Sequence, residues 1–209
     1  MDRRLYYARV RELARQKRDE FCVKTSAFGV REVRSIYRHE NIVIDIRKLP
    51  ACLKAIYLPV DDGASVAIRK DLPDEPKIFA LVHELKHHWA DQELIRSGAF
   101  TCGDYNENEL QEKGAEVFAA EFIYPESEFI ADIREFNGPT WTPEDIVRFK
   151  RGHCRAKVSF TFIRKGLERA GLIEPGQFVD VKFQKLEEEI YGTPFYRQPW
   201  FRARRAKAS

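Results

Sequence analysis

The sequence predicts an α+β protein: a small, mostly antiparallel sheet packed on two helices, followed by a helix-turn-helix-like helical segment. Three observations carry this prediction. Between residues 41 and 70 lie three short β-branched or aromatic runs, punctuated by Pro50, Pro59 and an Asp61-Asp62-Gly63 turn signal. From Asp74 onward the period becomes helical, with Phe79, Val82, Leu85 and Trp89 recurring three and four residues apart. Beyond Asn137-Gly138-Pro139, two short amphipathic helical patterns follow one another closely.

Residues 3–20 read as an amphipathic helix with Leu5, Val10 and Leu13 on one side and arginines elsewhere. Residues 21–70 read as strands and turns, with strands at 41–46, 53–58 and 65–69. The next helix has Asp74 and Glu75 at its start and Pro76 in its first turn, and ends at Ser97-Gly98. A second helix is expected from about residues 104–106 to Tyr124, where Pro125 stops it, and a third over Glu126–Phe136. Thr142 caps a helix that has Pro143 in its first position and Glu144 and Asp145 behind it, ending at Gly152. Residues 160–170 follow with Phe162, Ile163 and Leu167 inward and Arg164, Lys165 and Arg169 outward. Residues 178–183 read as a strand before an aromatic, basic tail.

With 209 residues, 44% of them apolar and 33% charged, the chain suits one domain with appendages and buries a core of its own. The net charge of +3 says little about partners, but the ends are basic: seven Arg and Lys between Arg3 and Arg18, and five from Arg197 to Lys207. Cys22, Cys52, Cys102 and Cys154 form no C-x-x-C pair, which argues against a cysteine zinc site or a disulfide scaffold. No apolar run approaches the roughly 20 residues that span a bilayer, and the start lacks an apolar secretory core. The expectation is a soluble, cytoplasmic protein with no membrane contact. Its parts are a basic helix (1–20), a metal-binding domain (21–136), a helix-turn-helix-like segment (137–175) and a tail (176–209).

The stretch with most chemistry is His83-Glu84-Leu85-Lys86-His87, the H-E-x-x-H spacing of zinc hydrolases. Residues four apart stack on one helix face, so His83 and His87 can offer two imidazole nitrogens to one ion. Glu84 is then placed to take a proton from water that the metal activates. A charged helix that merely carries three histidines would look the same, so the motif requires a third ligand. Glu109, Glu112 and Glu116 lie on one face of the following helix, and a carboxylate commonly completes such sites. Gly114, without a side chain, is expected to let that helix approach the histidine helix closely.

His83-Glu84-Leu85-Lys86-His87 followed by Glu112-Lys113-Gly114-Ala115-Glu116-Val117-Phe118-Ala119-Ala120-Glu121-Phe122-Ile123-Tyr124-Pro125 resembles the ImmA/IrrE metallopeptidases. The likeness extends over roughly residues 25–173. It implies a zincin-like domain with one Zn2+ per chain, His83, His87 and Glu112 as ligands and Glu84 as the catalytic base. It also implies that Glu116, where the family usually has Asp or Asn, orients a ligand histidine. Lys86 stands where the family usually has Gly. His88 either hydrogen-bonds Glu84 or faces solvent, and the group that stabilises the oxyanion is left open among Tyr57, Tyr105, Tyr124 and His153.

The expected activity is a zinc-dependent metalloendopeptidase. Residues 64–70 are expected to form the sheet edge on which an extended substrate adds as a further strand, with Val66 and Ile68 as substrate-binding residues. The resemblance implies a regulatory substrate, a helix-turn-helix repressor of a mobile element or stress response. The rival is a DNA-binding or protein-binding regulator with a structural or vestigial zinc site, resting on residues 142–172 and the basic ends. DNA contact is not favoured, because Arg164, Lys165 and Arg169 are few.

Overall fold

A computed structural model describes residues 2–60, 63–98, 109–136 and 140–194. The chain divides into two compact units, one of residues 1–129 and 155–159, the other of residues 130–154 and 160–209. In the first unit, helix α1 (Arg3–Glu20) starts at Asp2, whose carboxylate accepts from the Arg4 N–H at 2.8 Å. Val10 and Ala14 are buried, whereas Leu5 is 51% exposed. Several basic residues of α1 are structural. Arg15 pairs with Glu121 at 2.9 Å and Arg3 with Glu109 at 3.4 Å. The buried Arg18 guanidinium donates to the Phe122 carbonyl, to Thr25 Oγ1 at 3.0 Å and to Glu128 at 3.3 Å.

Helix α2 (Val30–His39) falls where the sequence reads as strands and turns. Val33, Ile36 and Tyr37 are its buried stripe, and the Tyr37 hydroxyl donates to the Leu81 carbonyl at 2.8 Å. Its β-branched and aromatic residues are weak helix formers, and tertiary packing overrides that preference.

The sheet has three strands, β1 (Ile42–Arg47), β2 (Ala55–Val60) and β3 (Gly63–Arg69), in the order β1-β3-β2. β2 and β3 pair antiparallel, while β1 runs parallel to β3, so the sheet is mixed. The expectation that residues 64–70 form an edge is thereby corrected: β3 is the central strand, hydrogen-bonded on both sides. Val66 is 0% and Ile68 1% exposed, which leaves neither available to a substrate. The free edges belong to β1 and β2. Pro59 lies inside β2 without an N–H to donate, which suits an edge strand.

Helix α3 (Asp74–Lys86) packs against β2, β3 and α2 and buries residues on more than one face, among them Ile78, Leu81, Val82 and Leu85. It widens into a π-type turn over His87–Asp91 before α4 (Gln92–Arg96). Helix α5 (Glu109–Ile123) packs against both α3 and α1. Gly114 does permit a close approach, but to α1: a Cβ there would stand 2.5 Å from Tyr6 Oη and 2.7 Å from Tyr6 Cε1. α6 (Glu126–Phe136) follows directly after Pro125.

In the second unit, α7 (Pro143–Gly152) has the Thr142 cap expected at its start, completed into a capping box by Asp145. Thr142 Oγ1 accepts from the Asp145 N–H at 3.2 Å, and the Asp145 carboxylate accepts from the Thr142 N–H at 3.1 Å. Phe136, Trp141 and Phe149 form its aromatic cluster, and α8 (Phe160–Arg169) packs on α7. The strand expected at 178–183 is absent. Phe178 sits at φ +63°, hydrogen bonds of turn type fill this stretch, and α9 (Phe183–Tyr191) begins at Phe183, which stacks on Phe160 at 5.2 Å. No strand of the second unit is present among the described residues to pair with it. The helix break at Asn137-Gly138-Pro139, the Asp61-Asp62 turn, the helix start expected at residues 104–106, Cys102 and the basic tail from residue 197 lie outside the described residues. No described helix is long and apolar enough to cross a membrane.

Candidate metal centre

α3 and α5 bring His83, His87 and Glu112 together, one donor atom from each within 4.8 Å of the others. His83 Nε2 lies 3.3 Å from His87 Nε2 and 3.0 Å from Glu112 Oε2, and His87 Nε2 lies 3.9 Å from Glu112 Oε1. Atoms held about 2.0–2.2 Å from one zinc at tetrahedral angles stand roughly 3.3–3.6 Å apart, so the donor set fits such an ion. His87 is 0% and Glu112 2% exposed, while the His83 side chain is 12% exposed. Glu109 is open to solvent at 55% and held by Arg3, which removes it from the ligand set.

Glu84 sits on the same helix beside these donors. Burial, with Glu112 nearby, pushes its carboxyl from 4.5 up to about 7, against the opposing pull of His83 and of the Tyr57 N–H that it accepts. Its Oε2 is buried without a hydrogen-bond partner. A buried acceptor left open next to a donor triad is what a reacting water would satisfy. Burial opposes charge on His83, but the hydrogen bond it donates to Glu112 and the charges of Glu84, Glu112 and Glu116 outweigh it and raise its pKa above 6.5. Burial wins at His87, whose pKa is lowered although Asp91 opposes the shift.

Glu116, foreseen as the orienting acid, is half-buried, pairs with Lys113 at 3.5 Å and adds its charge to the field at His83. The contact to His87 is made by a residue that the sequence reading passed over. Asp91 Oδ2 accepts from His87 Nδ1 at 2.6 Å, which fixes Nε2 toward the donor cluster. The signal was its i, i+4 spacing from His87.

His88 neither bonds Glu84 nor faces solvent. Its Nε2 lies 3.3 Å from Glu40 Oε2 and its Nδ1 3.0 Å from the Tyr57 hydroxyl. A carboxylate only accepts, so Nε2 carries the proton and Nδ1 accepts from Tyr57. Among the candidate oxyanion groups, Tyr57 is thus engaged with His88. Tyr124 is 2% exposed and packs edge-on against Phe129, and His153 packs on Phe136 in the second unit. Tyr105 lies outside the described residues.

Fold and site together bring the two histidines of the H-E-x-x-H stretch and Glu112 to where they could hold one ion. Residues 39–140 match the family model of the IrrE N-terminal-like domain, Peptidase_M78. No curated protein sequence matches the chain. A solved structure of a Mycobacterium tuberculosis transcriptional regulator is similar to it, with a TM-score of 0.52 at 17% identity. The match covers 84% of this chain and 52% of that one, so this chain spans about half the regulator's length. The likeness is one of fold.

Proposed function

We propose that the protein is a zinc-dependent metalloendopeptidase that hydrolyses a peptide bond in a regulatory protein, a helix-turn-helix repressor being the substrate class. The observation that carries this reading is the buried Glu84 carboxylate with its open Oε2 beside the convergent donors of His83, His87 and Glu112. These three side chains would hold the ion, which when bound supplies Lewis acidity toward water and the scissile carbonyl. Glu84 accepts the proton that water loses on attack and returns it to the leaving amine. A carboxyl near neutrality suits both halves of that transfer. Tyr57, whose N–H Glu84 accepts, holds the base against β2. As the free edge beside Glu84, β2 replaces β3 as the strand on which an extended substrate adds.

The match of residues 39–140 to the Peptidase_M78 family model and the regulator named among similar folds support a regulatory substrate. The DNA-binding alternative draws less support. Arg164, counted as an outward cation, bonds Glu168 one turn along α8 and is 11% exposed.

Elemental analysis of the purified chain tests the site: about one zinc per chain is expected, lost in both His83→Ala and Glu112→Ala. Incubation with a helix-turn-helix repressor encoded beside this gene then tests the activity, read as discrete fragments by mass spectrometry. Glu84→Gln is expected to keep its zinc and lose at least about 100-fold in cleavage rate. Cleavage that persists in Glu84→Gln would overturn the assignment of the base, and a zinc-free wild type would overturn the metallopeptidase reading.

A further inference from the structure

Lys86 is fully buried, at 0% exposure, in the turn that carries the second histidine. A lysine is almost never buried without a partner, because removing an ammonium from water is costly. Its partners lie on both walls of the metal centre. Nζ donates to Asp91 Oδ2 at 2.5 Å, the same oxygen that accepts from His87 Nδ1. It also donates to the Gln111 carbonyl at 3.2 Å, one residue before Glu112. On the third side lies the ring of Tyr6 from α1, its centroid 5.6 Å from the nitrogen.

The helix geometry explains how one residue reaches all of these. On a regular α-helix, residues five apart point about 140° away from each other. The π-type turn over His87–Asp91 brings such residues toward the same side, so Asp91 faces both Lys86 and His87. A carboxylate that had only His87 for a partner would be a buried charge with one hydrogen bond. With Lys86 it is neutralised and held at a fixed place.

We propose that Lys86 is a positioning residue of the metal centre. Its ammonium clamps the Asp91 carboxylate that orients His87 and, through the Gln111 carbonyl, the turn of α5 that presents Glu112. One buried cation thereby sets the spacing of ligands on two helices. The inference rests on the reading of His83, His87 and Glu112 as ligands, and it concerns what holds them rather than what they bind.

Zinc affinity of the purified full-length chain, measured by competition with a chromophoric chelator, tests this in Lys86→Met, Asp91→Asn and the double variant. The visible spectrum of the cobalt(II)-loaded chains is recorded in parallel. Each single variant is expected to bind zinc about 10–100-fold more weakly and to show an altered cobalt band. The double variant is expected to lose no more than the weaker-binding single, since both residues act through one linkage. Lys86→Met leaves Asp91 unpaired; if that chain does not fold, the double variant, with neither charge, is read against wild type with the same expected loss. Wild-type affinity and an unchanged cobalt spectrum in the folded variants, with only the melting point of the metal-free chain lowered, would overturn the proposal. Additive losses in the double variant would also overturn it. His83→Ala separates the two readings: a wild type without metal, or metal retained in His83→Ala, overturns the ligand set itself.

Discussion

Glu84 is held in a place that disfavours its charge. Its pKa of about 7 in the fold lies above 4.5 in a solvated chain, so the neutral acid is the form that folding prefers. The stabilisation from this group is fully present below pH 4.5 and is lost as pH rises through 7. The difference, of order 3 kcal/mol, follows from about 1.4 kcal/mol per pH unit. Thermal melts of the metal-free chain in chelator should therefore show wild type losing stability relative to Glu84→Gln between pH 5 and 8. Parallel curves for the two proteins would mean that burial does not perturb this carboxyl. The clustering of His83 and His87 was legible because H-E-x-x-H is a spacing, and a helix converts spacing into one face. Asp91 carried the same i, i+4 relation to His87 but was eclipsed by Glu116, to which a family role could be transferred. The environment of Lys86 was not legible, because its contact with Asp91 depends on a turn wider than an α-helix.

At the scale of elements, Gly114 decides how α1 sits on α5. Alanine is the better helix former by about 1 kcal/mol, yet its Cβ would overlap Tyr6 Oη, Cε1 and Cζ at 2.5–2.9 Å. Gly114→Ala should destabilise the protein by about 1–2 kcal/mol in denaturant titration, and Tyr6→Ala in the same chain should remove that increment. A stabilised Gly114→Ala would show that the ring moves aside freely. In the second unit, Thr142→Ala should cost about 1 kcal/mol by breaking the capping box. The Thr142 cap could be read from Thr142-Pro143-Glu144-Asp145 because caps are local chemistry. The order of the strands is not local. The hairpin of β2 and β3 follows from its turn signal, but the parallel pairing of β1 with β3 joins strands that are separated in sequence by the whole of β2. The one local hint is Pro59 within β2, because a proline ends a strand as readily as it marks an edge. α2 was hidden by weak helix formers, and α9 by an apolar alternation that finds no partner strand.

At the scale of the molecule, His83, His87, Glu112, Glu84 and the sheet all belong to the first unit, whereas α7 packs on α8 and α9 in the second. A ligand that binds only the folded form stabilises it by about 2.7 kcal/mol at a concentration one hundred times its Kd. That stabilisation protects the amides whose opening destroys the site, namely those of α3, the His87–Asp91 turn and α5. The proposed ligands all lie in the first unit, so the amides of the second gain protection only to the extent that they open together with the first. Hydrogen exchange with and without zinc should accordingly slow most in α3 and α5 and least in α7 and α8. Removing the metal with chelator should reverse the effect in wild type and change nothing in His83→Ala. Equal slowing in both units would make the chain one cooperative body, in which the segment that resembles a DNA-reading motif would register whether the metal centre is filled.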